Sequence, residues 1–126
     1  MNVFLQVNTS GEEQKHGVAP QDVPALALQI VRECSNLHFR GLMTIGSAAS
    51  AGDENADFER LAECRVQVAR ALSVPPASLD LSMGMSQDYE QAVLPLCRHC
   101  PLIHVDQAGI HQCSGRQCHI RTPDLQ

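Results

Sequence analysis

Apolar positions along this chain fall into short runs that alternate between two rhythms. Residues 3–8, VFLQVN, form an apolar-rich run of strand length with apolar side chains on both faces. A polar loop, TSGEEQKHGVAP, follows, punctuated by Gly11 and Gly17. Over residues 22–35, Val23, Leu26, Ala27, Ile30, Val31 and Cys34 recur at i, i+3, i+4 spacing. That spacing predicts an amphipathic helix, with Pro24 tolerated because it falls in the first turn. Residues 38–45, HFRGLMTI, predict a second strand that ends at Gly46 and a small-residue loop. Residues 55–72 predict a second helix with Phe58, Leu61, Ala62, Val68, Ala69 and Leu72 inward, capped by Asp53 or Asn55. Residues 79–83, LDLSM, predict a third strand, followed by Gly84 and a third helix from Ser86 to about Val93.

The order is β-α-β-α-β-α, with connections too long for hairpins. Such alternation means parallel strands with helices packed outside, an α/β architecture of about three β-α units. From Leu94 onward the pattern fails. LPLCRHCPLIHVDQAGIHQCSGRQCHIRTPDLQ offers one apolar run, Leu102 to Val105, and otherwise Gln, Gly, Ser, His and Pro. The expected organisation is therefore an α/β segment over 1–94 and a Cys/His-rich, poorly structured tail over 95–126.

Composition narrows this picture. A chain of 126 residues is at most one domain, and 44% apolar content permits a core. One Tyr, three Phe and no Trp make that core aliphatic. The formal net charge of −5 argues against a phosphate-backbone partner, so no nucleic acid is expected. No apolar run approaches the roughly 20 residues of a membrane helix, so no membrane association is expected. The N-terminal run lacks a basic n-region and a cleavage site, which makes a cytoplasmic location the expectation. There the six Cys would be reduced thiols or metal ligands rather than disulfides.

The stretch MGMSQD carries the first candidate chemistry. A helix N-terminus presents unpaired N–H groups and a partial positive charge, so an anion sits there favourably. Gly84 lets the backbone approach a ligand, and Ser86 is both a helix cap and a hydroxyl donor. The plainer reading is a glycine that turns the chain and a serine that caps a helix. A lone G-x-S turn does not decide between them.

Read together, the three strand ends say more. VFLQVNTSGEEQKHGV, NLHFRGLMTIGS and DLSMGMSQDYEQAV closely resemble, in that order, three segments of the pyridoxal phosphate homeostasis protein family. That family is also called the proline synthetase co-transcribed bacterial homologues, and the resemblance covers about residues 3–93. It implies a pyridoxal 5′-phosphate (PLP) carrier on a (β/α)8 TIM-type barrel, like the N-terminal domain of alanine racemase, with no established catalysis. The implied role is intracellular PLP homeostasis, with PLP-dependent apoenzymes as recipients. In the family, the phosphate is gripped by the S-M-G-M-S turn and by a later G-S-T-x-x-R-I-G segment. By that match Ser86 is the phosphate-side serine, Met83, Gly84 and Met85 frame it, and Asn8 and Thr44 stand at strand ends facing the same mouth. Lys15, the only lysine in the chain, matches the lysine of the K-x-G loop and not the Schiff-base lysine.

The departures from the family pattern are large. The chain starts at about the fifth barrel strand, and after QAV it continues as LPLCRHCPL where the family enters its last phosphate-binding strand. The resemblance therefore implies a truncated, partial barrel with an impaired site and no covalent PLP attachment. Lys15, in a polar loop, is expected to be an ordinary solvated amine. An open sheet exposes two edges and an apolar barrel interior, which predicts a marginal or aggregation-prone monomer unless another chain pairs with it.

The tail offers a competing reading. Cys97-x2-Cys100, then Cys113-x4-Cys118 with His119, has the ligand types of a structural zinc site. The alternative function is thus a small metal- or thiol-dependent binding module over 97–119, and a further one is an unstable isoform without a role. Against zinc, the second pair has a four-residue gap and neither pair sits in a recognisable hairpin, so no metal ligand is assigned. Cys34 and Cys64 lie on helices as packing residues, and His16 and His38 show no triad arrangement.

Overall fold

The computed structural model describes residues 1–47, 55–84, 88 and 91–92, with the backbone alone of 103–105 and 111–113. Its main body runs β1 (Asn2–Gln6), α1 (Val23–Glu33), β2 (His38–Met43), α2 (Ala56–Leu72) and β3 (Asp80–Ser82). The three strands form one parallel sheet in the order β1-β2-β3. The alternating pattern thus folds as expected, since each helix returns the chain to the same end of the sheet.

Leu5, Leu42 and Leu81 are register partners across the sheet, so they share one face. Leu5 and Leu42 are buried with Val23 and Ala27 of α1 and Leu61, Cys64, Val68 and Ala69 of α2, and Leu81 packs against this cluster. Burying a side chain such as Leu42 or Leu61 contributes about 1.5–3 kcal/mol each. Both helices lie on that face. On the opposite face Phe4 is 43% exposed and Ile45 is 50% exposed.

Helix α1 corrects one detail. Val31, expected inward, is 51% exposed. At about 100° per residue it sits roughly 80° from Val23, at the margin of the apolar stripe, and it falls in the last turn. Helix α2 has clear ends. Asn55 caps it, its side chain accepting the Asp57 N–H at 3.1 Å, and Asp57 and Glu59 occupy the positive first turn. Ser73 ends it with a left-handed φ of 56°, donating its N–H to Ala69 and Arg70 carbonyls.

The β1–β2 ladder contains one irregularity. Val3 pairs with Phe39 but Phe4 pairs with Gly41, so Arg40 is an extra residue on β2. Arg40 turns outward and pairs with Asp80 of β3 at 2.8 Å, both half exposed. Gly41 lies against the Asp80 backbone so closely that a Cβ there would fall 1.9 Å from the Asp80 carbonyl oxygen.

Beyond β3, the Ala92 N–H donates to the Asp88 carbonyl at 3.1 Å, a helical bond inside the third predicted helix. Further on, β4 (Ile103–Val105) and β5 (His111–Cys113) pair antiparallel, with Ile103 opposite Cys113 and Val105 opposite His111. Among the described residues, no helix is long and apolar enough to cross a membrane.

Candidate functional site

Parallel strands deliver their C-terminal ends to one side of a sheet, where loops gather and ligands of α/β folds bind. Here β1, β2 and β3 end together. Pairing continues past them, with the Val7 N–H donating to the Met43 carbonyl at 2.8 Å and the Thr44 N–H to the Ser82 carbonyl at 3.1 Å. Asn8, Thr44 and Met83–Gly84 therefore stand side by side at one rim. A shallow notch opens there between the ends of β1 and β2, with Asn8, Lys15, Thr44 and Gly46 in its wall.

Each wall residue is held by local chemistry. Asn8 folds its own loop: its Nδ2 donates to the Glu12 carbonyl at 3.0 Å, and its Oδ1 accepts the Gly11 N–H at 3.0 Å. Val18 closes the neck of that loop against the outer edge of β1, its N–H donating to Gln6 at 2.8 Å and its carbonyl accepting from Asn8 at 2.9 Å. Thr44 is buried, and its hydroxyl donates to the Val7 carbonyl at 3.0 Å. That hydroxyl has a single proton, so the buried Thr9 hydroxyl, 2.8 Å away, donates to it. The Gly46 N–H donates to the same oxygen at 3.3 Å. Thr44 thus ties the two loops together and spends its hydroxyl within the protein.

Lys15 departs from the expected solvated amine. It ends a 3₁₀ turn, Glu13–Lys15, and its side chain is only 24% exposed. Its ammonium donates to the Gly46 carbonyl and lies 3.6 Å from the Glu12 carboxylate. An amine with fixed oxygen partners replaces bulk water by protein acceptors, which is why the loop holds it. Gly84 has φ of 87°, a left-handed turn that a side chain would strain, so glycine is required where the chain leaves β3. Met83 packs against the core. Met85 and Ser86 lie outside the described residues.

Two residues not singled out from the sequence complete the rim. Asp57, 3% exposed in the first turn of α2, accepts the Ser47 N–H on Oδ2 at 2.7 Å. Arg60, one turn on, lies 3.5 Å from Asp57 Oδ1 and donates to the Thr9 carbonyl at 2.6 Å. The start of α2 therefore grips both the β1 loop and the β2 loop. The D-x-x-R spacing behind Asn55 is the sequence signal, and it becomes informative only once the loops are placed.

Elsewhere the chemistry is sparse. Burial, and then the neighbouring Glu63 charge, push the Cys64 thiol above its ordinary range, so it stays protonated. Cys34 is half-buried. No group of three or more metal-binding side chains occurs among the described residues. Cys97, Cys100, Cys118 and His119 lie outside them.

Comparison with known proteins agrees with this geometry. Residues 1–103 match the family described as alanine racemase, N-terminal domain. A human protein named pyridoxal phosphate homeostasis protein is 43% identical over 95 residues, covering 74% of this chain and 34% of its own length. Proteins of the same name from Caenorhabditis elegans and Pseudomonas aeruginosa are 46% and 45% identical, covering 39% and 38% of their lengths. The chain thus spans little more than a third of the relatives it matches. A crystal structure of an unknown protein from Bifidobacterium adolescentis superposes with a TM-score of 0.65 at 30% identity, over 75% of this chain and 38% of that one. The parallel sheet, its one-sided helices and the match across most of its length agree: the chain belongs to the alanine racemase N-terminal domain family, with pyridoxal phosphate homeostasis proteins among its relatives.

Proposed function

We propose that this chain carries part of a pyridoxal 5′-phosphate site and serves intracellular PLP homeostasis without catalysing a reaction. The observation that supports it best is the convergence of three parallel strand ends on one rim, with the left-handed Gly84 turn beside it. The residues at the rim suit the phosphate end of the cofactor. Gly84 leaves room for backbone N–H groups to approach an anion and Met83 anchors the turn in the core. Met85 and Ser86, next in sequence, are the proposed phosphate-side residues. Asn8 and Thr44 act as framework: their side chains shape the adjoining loops.

The carbonyl end is less well served. Lys15, the only amine-bearing side chain available, is committed to the Gly46 carbonyl and Glu12, so binding is noncovalent and weak. On this reading the chain is a weak PLP binder in the cytoplasm, with PLP-dependent apoenzymes as recipients. Its open apolar face, with Phe4 and Ile45, makes it prone to aggregate.

The test is urea unfolding, followed by far-UV circular dichroism, with PLP, pyridoxal or inorganic phosphate added. A native-state ligand at a hundred times its Kd stabilises by about 2.7 kcal/mol. PLP and phosphate should raise the midpoint and pyridoxal should not. A midpoint indifferent to PLP would remove the cofactor from this chain.

A further inference from the structure

The Gly46 carbonyl and the Ser47 N–H are the two ends of one peptide group. The structure has no cis peptide among its described residues, so these two groups point in opposite directions. On one side the carbonyl accepts the Lys15 ammonium; on the other the N–H donates to the buried Asp57 carboxylate at 2.7 Å. A cation and an anion thus face each other across a single peptide dipole aligned with both. Each bond polarises the peptide in the sense that strengthens the other. A rotation of that peptide would break both bonds at once.

We propose that Asp57 is a positioning residue for Lys15, acting through the Gly46–Ser47 peptide and setting where the ammonium of the mouth stands. The effect of Asp57 on Lys15 runs through the loop, by way of the Ser47 N–H and the Gly46 carbonyl. Arg60 holds the other loop through Thr9 and lies beside the same carboxylate, so α2 fixes both walls from one turn. The role of that ammonium toward an anionic ligand rests on the proposed PLP reading; the coupling between Lys15 and Asp57 does not.

The test uses the whole chain without added ligand. Because Lys15 is the only lysine, protein grown with 13C-lysine gives one side-chain signal to follow by NMR. In the parent it stands away from its position in the urea-unfolded chain. Asp57→Ala should bring it to that unfolded-chain position while the backbone spectrum stays dispersed, and Asp57→Asn, which keeps an acceptor oxygen, should leave it in place. The reverse arm is Lys15→Met at a partly exposed loop position: exchange of the Ser47 amide should quicken about fivefold, the effect of losing one typical hydrogen bond. Should Asp57→Ala fail to fold, this arm and Asp57→Asn decide.

The proposal is overturned by a folded Asp57→Ala with the Lys15 signal unmoved, by Asp57→Asn behaving as the alanine variant, or by an unchanged Ser47 amide in Lys15→Met. A chain that shows the coupling yet ignores PLP in urea would sink the cofactor reading alone.

Discussion

Replacing Gly41 by alanine is the sharpest trial of the sheet geometry. A Cβ at that position falls 1.9 Å from the Asp80 carbonyl oxygen and 2.7 Å from the same residue's backbone carbon and nitrogen. Ordinary contact begins at 3.4 Å, so β2 and β3 must part by about 1.5 Å. The obstacle is backbone, which has no rotamer to escape into. A strand bond of about 2.9 Å stretched that far is no longer a hydrogen bond. Losing about two such bonds costs ~2 kcal/mol and the crowding itself ~1–3 kcal/mol, giving ~3–5 kcal/mol in all. A small domain has only about 5–15 kcal/mol in total, and with a urea m-value near 1 kcal/mol/M the midpoint falls by ~3 M or more. The assay is urea unfolding by circular dichroism, with Gly11→Ala as the reference. Gly11 also has a positive φ, 75°, but nothing lies within 4 Å of its added Cβ. That variant feels only the left-handed strain of about 1–2 kcal/mol. If Gly41→Ala proves no worse than Gly11→Ala, the close approach of β2 and β3 is wrong.

Three further outcomes are expected. Ser73→Gly should raise stability by up to ~1 kcal/mol, because Ser73 ends α2 at φ of 56° and glycine bears that conformation without strain; a lowered thermal midpoint would contradict it. Asn55→Ala should cost ~1 kcal/mol by leaving the first turn of α2 uncapped, measured by chemical unfolding, and a neutral result would show that the bond to Asp57 N–H does no stabilising. Because its thiol is raised in the folded chain, Cys64 keeps its proton there when the unfolded chain has lost its own. Its contribution is whole below the ordinary thiol value of 9.0 and is lost as pH climbs beyond it; Cys64→Ala should flatten that alkaline decline.

Local rules made part of this molecule readable and left the rest out of reach. Parallel pairing followed from strands separated by helix-length segments, and a cap at Asp53 or Asn55 from residue type and position, because both depend on neighbours in sequence; the folded chain uses Asn55. Val31 kept the spacing of a buried residue, but spacing does not say where a stripe ends. The bulge at Arg40 escaped because a run of strand-forming residues looks the same with or without one extra. Lys15 sat in a polar loop, and its environment comes from Gly46, thirty-one positions away. The grip of Asp57 and Arg60 on two loops is likewise a property of the folded arrangement. Thr44 was legible as a strand-end residue at the mouth; that its hydroxyl faces Val7 and Thr9 was not.

The extra residue in β2 also determines where this strand tolerates a change of length. Side chains alternate strictly along a strand, so Phe39 and Leu42, three apart, ought to face opposite ways. The surplus at Arg40 brings them to the same face, and Phe39 joins the core beside Leu42. Removing Arg40 would leave them two apart, in ordinary alternation, with only an exposed ion pair lost. Removing Met43 instead would carry Leu42 and Thr44 out of step and turn part of the core toward solvent. Among natural variants of this segment, single-residue shortening should accordingly collect at one point of β2 and be missing from its neighbours.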